Sequence, residues 1–293
     1  AYYMEYEHDR FNVKLGDMYE LYGRGLSFYA FQDQNVDYDN SIKGISLKYF
    51  LGDNLKVASL IGTGNHAFRP NPTNRTQKYH FDTNVILGSI DYENNLFGYV
   101  QFLYLYQQKL LLPDAIASII YSHPEIAIEI DESDRIPEDS DQWIYMNLPL
   151  NNSDGVPDTL ITNNYNLSWN YLIGNIDIYI DKAWIQYDKI YGEDVFGSRF
   201  YTSIYTELFG SGITYEYKNY FTPYLIKSLS NPPIVYREGN SILASRNVHS
   251  INFGNEIGHQ IDINKNLFGT TNLALNLSVS HRHKMDDMES ISF

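Results

Sequence analysis

Apolar and polar residues alternate with a period of two along much of the chain. In Phe11, Val13 and Leu15 the apolar side chains are separated by polar ones, and Ile45, Leu47, Tyr49 and Leu51 repeat the pattern. This period is typical of strands with one apolar and one polar face. On this basis strands are predicted at residues 1–7, 11–15, 45–51, 54–62, 83–92, 96–107, 166–171, 176–181, 199–209, 213–220, 221–229, 251–263 and 272–280.

The predicted strands are long for a soluble protein. Residues 251–263 alternate throughout, whereas strands of soluble sandwiches have about five or six residues. A tilted strand needs about ten residues to cross the hydrocarbon core of a membrane. The strands are also joined alternately by short turns and by longer polar loops, as in outer-membrane proteins. The pattern therefore predicts an all-β, antiparallel transmembrane β-barrel of about 12 to 14 strands, with the apolar face towards lipid.

One long stretch, residues 108–162, interrupts the alternation. It is predicted to be an irregular insertion, with a short helix near Pro113 and an acidic loop at Asp131–Asp141. The rest is predicted to be a single domain, residues 1–293, which is either a whole barrel or a piece of a longer one.

The composition restricts the classes of molecule that the chain is expected to bind. The chain has 27 Tyr and 15 Phe but 3 Trp, and Tyr suits a surface that is apolar along the ring and wet at the hydroxyl. A net charge of −15 argues against nucleic acid as a partner and favours cations near a pore mouth. No apolar run is long enough for a spanning helix, so the predicted partner is a lipid bilayer crossed by strands. No secretory signal opens the chain, so it is expected to be missing or removed.

Two glycines lie close together between the first strands. Gly23 and Gly25 flank Arg24, and this spacing inside a strand pattern favours a bulge or a sharp bend. If Arg24 faces the lumen, it forms with Lys14 and Lys48 a cationic stripe that orients permeating solutes. The alternative is that Arg24 is neutralised by a neighbouring carboxylate such as Glu20.

The same residues resemble a known family. The run Gly16–Leu26, GDMYELYGRGL, followed by DYDNSIKG at Asp37–Gly44, is similar to an uncharacterised family of porin-like outer-membrane β-barrels of Bacteroidetes-type bacteria. The segment Asn231–Gln260, with NPPIVYRE and EIGHQ, resembles the late strands of that family. The resemblance implies a barrel in the bacterial outer membrane and implies no activity, and members of the family are usually longer than this chain.

Candidate chemistry is sparse. The run NSDGVPD contains Asn152, Asp154 and Asp158, whose oxygens resemble half of a calcium loop. The first ligand would fall on Leu150, so a plain Asp-Gly turn is the alternative. No cofactor is therefore predicted, and calcium at this run is the alternative. Acid pairs such as Asp177 with Asp181 suit a glycosidase only at a separation that sequence does not give.

Three functions remain open from sequence. The first is a porin-like barrel without catalysis, which passes small solutes or acts as a membrane scaffold. The second is a soluble or surface-attached β-sandwich that binds glycans through aromatic side chains, and the third is an outer-membrane enzyme. The first two differ in where the apolar faces point. A sandwich packs Leu167, Trp169, Ile178, Ile261 and Leu275 in a dry centre, whereas a barrel exposes them to lipid.

Overall fold

The computed structural model describes residues 2–30, 32–33, 38–39, 41–68, 79–110, 159–190, 193–222, 255–267, 271–281 and 283. Its fourteen strands are β1 (Tyr3–His8), β2 (Phe11–Met18), β3 (Gln32–Asp33), β4 (Tyr38–Asp39), β5 (Ile42–Leu51), β6 (Leu55–Phe68), β7 (Tyr79–Asn94), β8 (Gly98–Leu110), β9 (Thr159–Ile173), β10 (Ile176–Ile190), β11 (Glu193–Leu208), β12 (Ser211–Phe221), β13 (Asn255–Leu267) and β14 (Thr271–His281). No helix in these ranges is long and apolar enough to cross a membrane.

Twelve of the strands form one antiparallel sheet in the order β1-β2-β5-β6-β7-β8-β9-β10-β11-β12-β13-β14, and β3 pairs with β4. Each strand of the large sheet is hydrogen-bonded to the strands that precede and follow it among these twelve, as in an up-and-down barrel. We call this large sheet the wall. The predicted all-β antiparallel fold and its strand number are confirmed. In the described part of the chain β1 pairs with β2 and β14 with β13, so the sheet is open.

The connections differ between the two ends of the sheet. At one end the turns are short, namely Asp9–Arg10, Gly52–Asn54, Asn95–Phe97, Gly174–Asn175 and Phe209–Gly210. Positive φ angles at Gly174, Phe209 and Gly210 fit two-residue hairpin turns. At the other end, 23 residues separate β2 from β5, although β10 and β11 are joined by residues 191–192. The predicted alternation of short and long connections is therefore confirmed for most pairs.

The two faces of the sheet are different. On the outer face, apolar side chains stand exposed: Ile61 at 55%, Phe102 at 43% and Leu275 at 56%. Register brings such residues side by side, as with Ile61 and Ile86 or Phe102 and Leu167. Leu167 and Ile261 are also exposed, so the described sheet does not pack the predicted apolar set into a dry centre.

The inner face carries polar side chains and is covered by residues 19–30, which we call the inner segment. Met18, Tyr22, Phe28 and Ala30 pack with apolar side chains of β5 to β8. Leu26 packs instead with Tyr179, Ala183, Tyr201 and Tyr220 on β10 to β12. On a flat sheet β5 and β11 would lie about 29 Å apart, at about 4.8 Å per strand. A segment this short contacts both because the sheet curves around it.

Two sequence expectations need correction. The strand pattern into which Gly23 and Gly25 were expected to introduce a bend does not form a strand of the large sheet, because residues 19–30 leave that sheet and pack on its inner face. The predicted insertion is also too long at both ends, since Gln108–Leu110 belong to β8 and Thr159–Thr162 to β9. Those ends pair with each other, Lys109 opposite Leu160, and they carry polar side chains on both faces, so hydrophobicity does not alternate there. The predicted helix near Pro113 lies outside the described residues.

Candidate functional site

The inner segment is a short hairpin that turns at its glycines. Leu21 bridges to Tyr29, the Ala30 N–H donates to the Glu20 carbonyl at 2.9 Å, and the Gly25 N–H donates to the Tyr22 carbonyl at 3.1 Å. Gly23 has φ +56° and Gly25 has φ +80°, angles that residues with a Cβ rarely adopt. The predicted sharp bend at these glycines is therefore present, but on the inner segment.

Three polar contacts fix the hairpin to the wall. The Gly23 N–H donates to Gln101 Oε1 at 2.9 Å on β8, and the Arg24 N–H donates to Asp181 Oδ2 at 3.1 Å on β10. On β11, Arg199 Nη1 donates to the Leu26 carbonyl at 2.6 Å. Backbone groups that would otherwise be buried without partners are satisfied in this way, so the position of the segment is specified as well as its shape.

Asp181 is the centre of this network. Its side chain is fully buried, and burying a carboxylate is unfavourable unless donors surround it. Asn166 Nδ2 donates to it at 2.7 Å, the Tyr179 hydroxyl at 3.0 Å and the Ser168 hydroxyl at 3.2 Å, in addition to the Arg24 N–H. Asp181 therefore holds the bend against β9 and β10.

Gly23 lies so close to this network that a Cβ at this position would force its side chains to shift. A Cβ at this position would come within 2.7 Å of both Asp181 Oδ2 and Ser168 Oγ. The glycine is thus required by space as well as by its backbone angles.

The predicted pore-lining or kink residues lie on the inner face or the inner segment. Lys48 Nζ is 2.8 Å from both Glu20 carboxylate oxygens, so Glu20 neutralises Lys48 and not Arg24. Lys14 Nζ is 3.9 Å from Glu5 Oε2 and 4.2 Å from the centre of the Tyr3 ring. The Arg24 guanidinium lies 4.7 Å from the centre of the Tyr179 ring and is exposed. The structure thus places Lys14 and Lys48 on adjacent strands, and Arg24 apart from them across the inner face.

The remaining sequence candidates add little. Asn152, Asp154 and Asp158, the proposed calcium ligands, lie outside the described residues. Within the ranges that are described, no group of three or more His, Asp or Glu side chains is arranged to hold a metal ion. Of the acid pair, Asp181 has the bonds given above, and Asp177 accepts a hydrogen bond from Asn170 Nδ2 at 2.8 Å.

Sequence reasoning missed Gln101 and Arg199 as residues of this site. They are 78 and 173 residues away from the segment atoms that they contact. The available signal was polar residues at inward positions of otherwise apolar strands, as in Gln101 between Val100 and Phe102. The same signal is present at Asn166, Ser168 and Asp181. It indicates that polar groups are bound on the inner face of the sheet, but it does not show which segment of the chain supplies them.

Comparisons with known proteins give a matching family model and several similar solved structures, two of which are of OmpT. Residues 1–94 match the model of a family described as "Family of unknown function (DUF6029)", and this range includes the GDMYELYGRGL run but not Asn231–Gln260. No curated protein matches the chain. The fold is similar to that of in-vitro folded OmpT, an outer membrane protein of Vibrio cholerae, with TM-score 0.41, 13% identity and coverage of 75% of this chain and 52% of that one. For the trimer form of OmpT the TM-score is 0.41, the identity 13% and the coverage 78% and 57%. The chain thus spans little more than half the length of these proteins.

Proposed function

We propose that the chain forms the wall of a porin-like barrel in a bacterial outer membrane, which passes small solutes passively and has no catalysis. The observation that carries this proposal is the orientation of the faces. Apolar side chains such as Ile61, Phe102 and Leu275 are exposed on the outer face, whereas buried polar side chains such as Gln101 and Asp181 lie inside with the inner segment. In water such a face would drive association, but in a bilayer it is the expected surface.

Strand length supports the same reading. Strands β5 to β14 have 10 to 16 residues, and about 9 to 11 suffice for a tilted membrane-spanning strand. The strand ends that extend beyond the apolar band carry polar residues on the outer face, as with Gln108 on β8 and Asn163 on β9.

An aromatic belt at the short-turn end also fits a membrane surface. Tyr92, Val100, Trp169 and Tyr171 line an apolar groove on the outer face beside the turn residues Leu96 and Phe97. The Trp169 Nε1–H donates to the Phe97 carbonyl at 2.8 Å, so the polar edge of the indole is satisfied while the side chain stays half-buried on the outer face. Trp and Tyr concentrate at membrane interfaces because they combine a polar tip with an apolar ring.

Planar bilayers test passage directly. Reconstituted protein should give stepwise conductance, and Gly23→Ala, which displaces the inner segment, should increase the step size. Gly52→Ala is the matched control, because Gly52 also has positive φ but a Cβ added there would meet no atom within 4 Å. A protein that needs detergent and shows heat-modifiable gel migration, yet stays silent, would overturn passage and leave a membrane scaffold. A protein released by osmotic shock without detergent would overturn the barrel itself and favour the glycan-binding sandwich.

A further inference from the structure

A cavity lies between the inner segment and the wall. Its volume is about 260 Å³, room for roughly eight water molecules at about 30 Å³ each. The residues that line it include Glu20, Tyr22, Lys48, Lys56, Tyr99 and Gln101. The space is large enough for a small solute.

The charged residues at this cavity form two ion pairs. Lys48 pairs with Glu20 at 2.8 Å, and Lys56 Nζ lies 2.6 Å from Asp91 Oδ2. The lysine side chains are 28% and 35% exposed, but the carboxylates are 13% and 3% exposed. Both lysines therefore line the cavity with more exposed side chains than their partners, while Glu20 also lines it and Asp91 lies behind Lys56. Each ammonium has three donors, so both lysines retain capacity for a further acceptor.

Tyr22 adds a donor without a partner. The side chain is 95% buried, and its hydroxyl has no hydrogen-bond partner among the described residues. Burial, helped by the charges of Glu20 and Asp91, raises the pKa of this hydroxyl above its usual range, so it stays protonated. A buried donor left unsatisfied is unfavourable, and an acceptor bound in the cavity would remove that cost.

We propose that this cavity binds a small anionic solute, a carboxylate or a phosphate, through the ammonium groups of Lys48 and Lys56 and the hydroxyl of Tyr22. The inference deepens the proposed function and rests on it, because passage through the barrel is what brings solute to the cavity. It has the opposite sign from the net charge of −15, which by itself favours cations.

Arg24 extends the same positive surface. Its guanidinium stacks on the ring of Tyr179, which also lines the cavity. Within the described residues the guanidinium forms no ion pair. A permeating anion therefore meets the exposed guanidinium of Arg24 close to the half-buried ammonium groups of Lys48 and Lys56.

Calorimetric titration of the folded, detergent-solubilised chain tests the site without requiring conductance. Inorganic phosphate and succinate are the two anionic probes, and glucose and putrescine are the neutral and cationic ones. At least one anion should bind saturably, the two arms distinguishing phosphate from carboxylate. Tyr22→Phe and Lys48→Gln should each weaken that binding about tenfold, the loss expected for one hydrogen bond to a charged group. Tyr22→Phe keeps the ring, so it tests the hydroxyl with little risk to folding.

Lys43→Gln is the matched control, because Lys43 lies on the same strand but is exposed on the outer face. It should leave anion binding unchanged. Absence of saturable anion binding, equal binding by Lys48→Gln, or preferential binding of glucose or putrescine would each overturn the site. A conducting barrel that binds neither anion retains the proposed function without this site. Anion binding by a silent barrel retains the site and overturns passage.

Discussion

Gly23 connects local conformation to a contact across the whole sheet. Its φ of +56° turns the inner segment, and the absence of a Cβ lets its backbone approach Asp181 and Ser168. Gly52 has φ +73° in an open turn with nothing near it. Substitution of Gly52 therefore tests the backbone angle alone, whereas substitution of Gly23 tests the angle and the close packing together.

We expect Gly23→Ala to destabilise the fold more than Gly52→Ala does. The control should lose about 1 kcal/mol in the free energy of unfolding, the cost of a Cβ in the left-handed region. Gly23→Ala should lose about 3 kcal/mol, because the hydrogen bonds of the displaced segment are lost as well. Urea unfolding in lipid vesicles, followed by Trp fluorescence, measures both. Equal losses would show that the contact with Asp181 contributes nothing.

Asp181 provides the second prediction at this scale. Asp181→Asn keeps the shape but turns one acceptor into a donor that faces other donors, so we expect a loss of about 3 kcal/mol. Asp177→Asn makes the same change on the same strand, at a carboxylate that accepts one hydrogen bond, from Asn170. It should lower the free energy of unfolding by about 1 kcal/mol. Hydrogen–deuterium exchange of peptides covering residues 19–30 should become faster in the first variant alone. Unchanged exchange in Asp181→Asn would mean that the apolar contacts of Leu26 and Phe28 hold the segment without it.

At the scale of the strand, the outer face makes a prediction that distinguishes lipid from water. Ile61 is 55% exposed, so Ile61→Arg should be nearly neutral if that face is in water. In a bilayer the same change should cost about 2 to 4 kcal/mol near the midplane. Leu96→Arg, in a short turn and 67% exposed, should be tolerated in either solvent. Unfolding in lipid vesicles measures both variants, and an undiminished stability of Ile61→Arg would contradict a lipid-facing wall.

Strands were predictable where one face is apolar and the other polar. The hairpin of β9 and β10 was found from sequence because Leu167 and Trp169 alternate with Asn166 and Ser168, and Gly174 with Asn175 marks the turn. The last residues of β8 were missed because Gln108 is polar on the outer face and Lys109 is polar on the inner one, which leaves no alternation. Period-two patterns report the contrast between faces, and they give no signal where both faces are polar.

The position of the inner segment could not be predicted from the period-two pattern, for a different reason. Tyr22, Leu26 and Phe28 alternate with smaller or polar residues as in a wall strand, so the local pattern is correct for an extended chain. What places them inside is contact with Gln101, Asp181 and Arg199, at 78 to 173 residues of separation. Local sequence specified the bend at Gly23 and Gly25, but the surface that receives the bend is formed only when the sheet assembles.

The whole sheet raises the question of its edges. In the described residues β1 has β2 as its neighbour and β14 has β13, so one side of each edge strand is unpaired. Lipid offers no hydrogen-bond partner to an exposed strand edge, and a membrane-spanning sheet must therefore pair both edges. If the chain spans a membrane as proposed, its two edges pair either with each other or with strands supplied from elsewhere.

Disulfide cross-linking decides between these two arrangements, and the absence of Cys from the chain makes it clean. Met4→Cys on β1 should be combined in turn with cysteine at Leu273, Leu275, Leu277 or Val279, the outward positions of β14. Closure predicts that one of these pairs oxidises readily, because paired strands bring Cα atoms within the range of about 4.4 to 6.8 Å that a disulfide needs. Met4→Cys with Leu15→Cys, which are direct partners across β1 and β2, is the positive control. Oxidation of the control with none of the four β14 pairs would show that the edge of β1 pairs with another strand, and the barrel would then need more than these twelve strands.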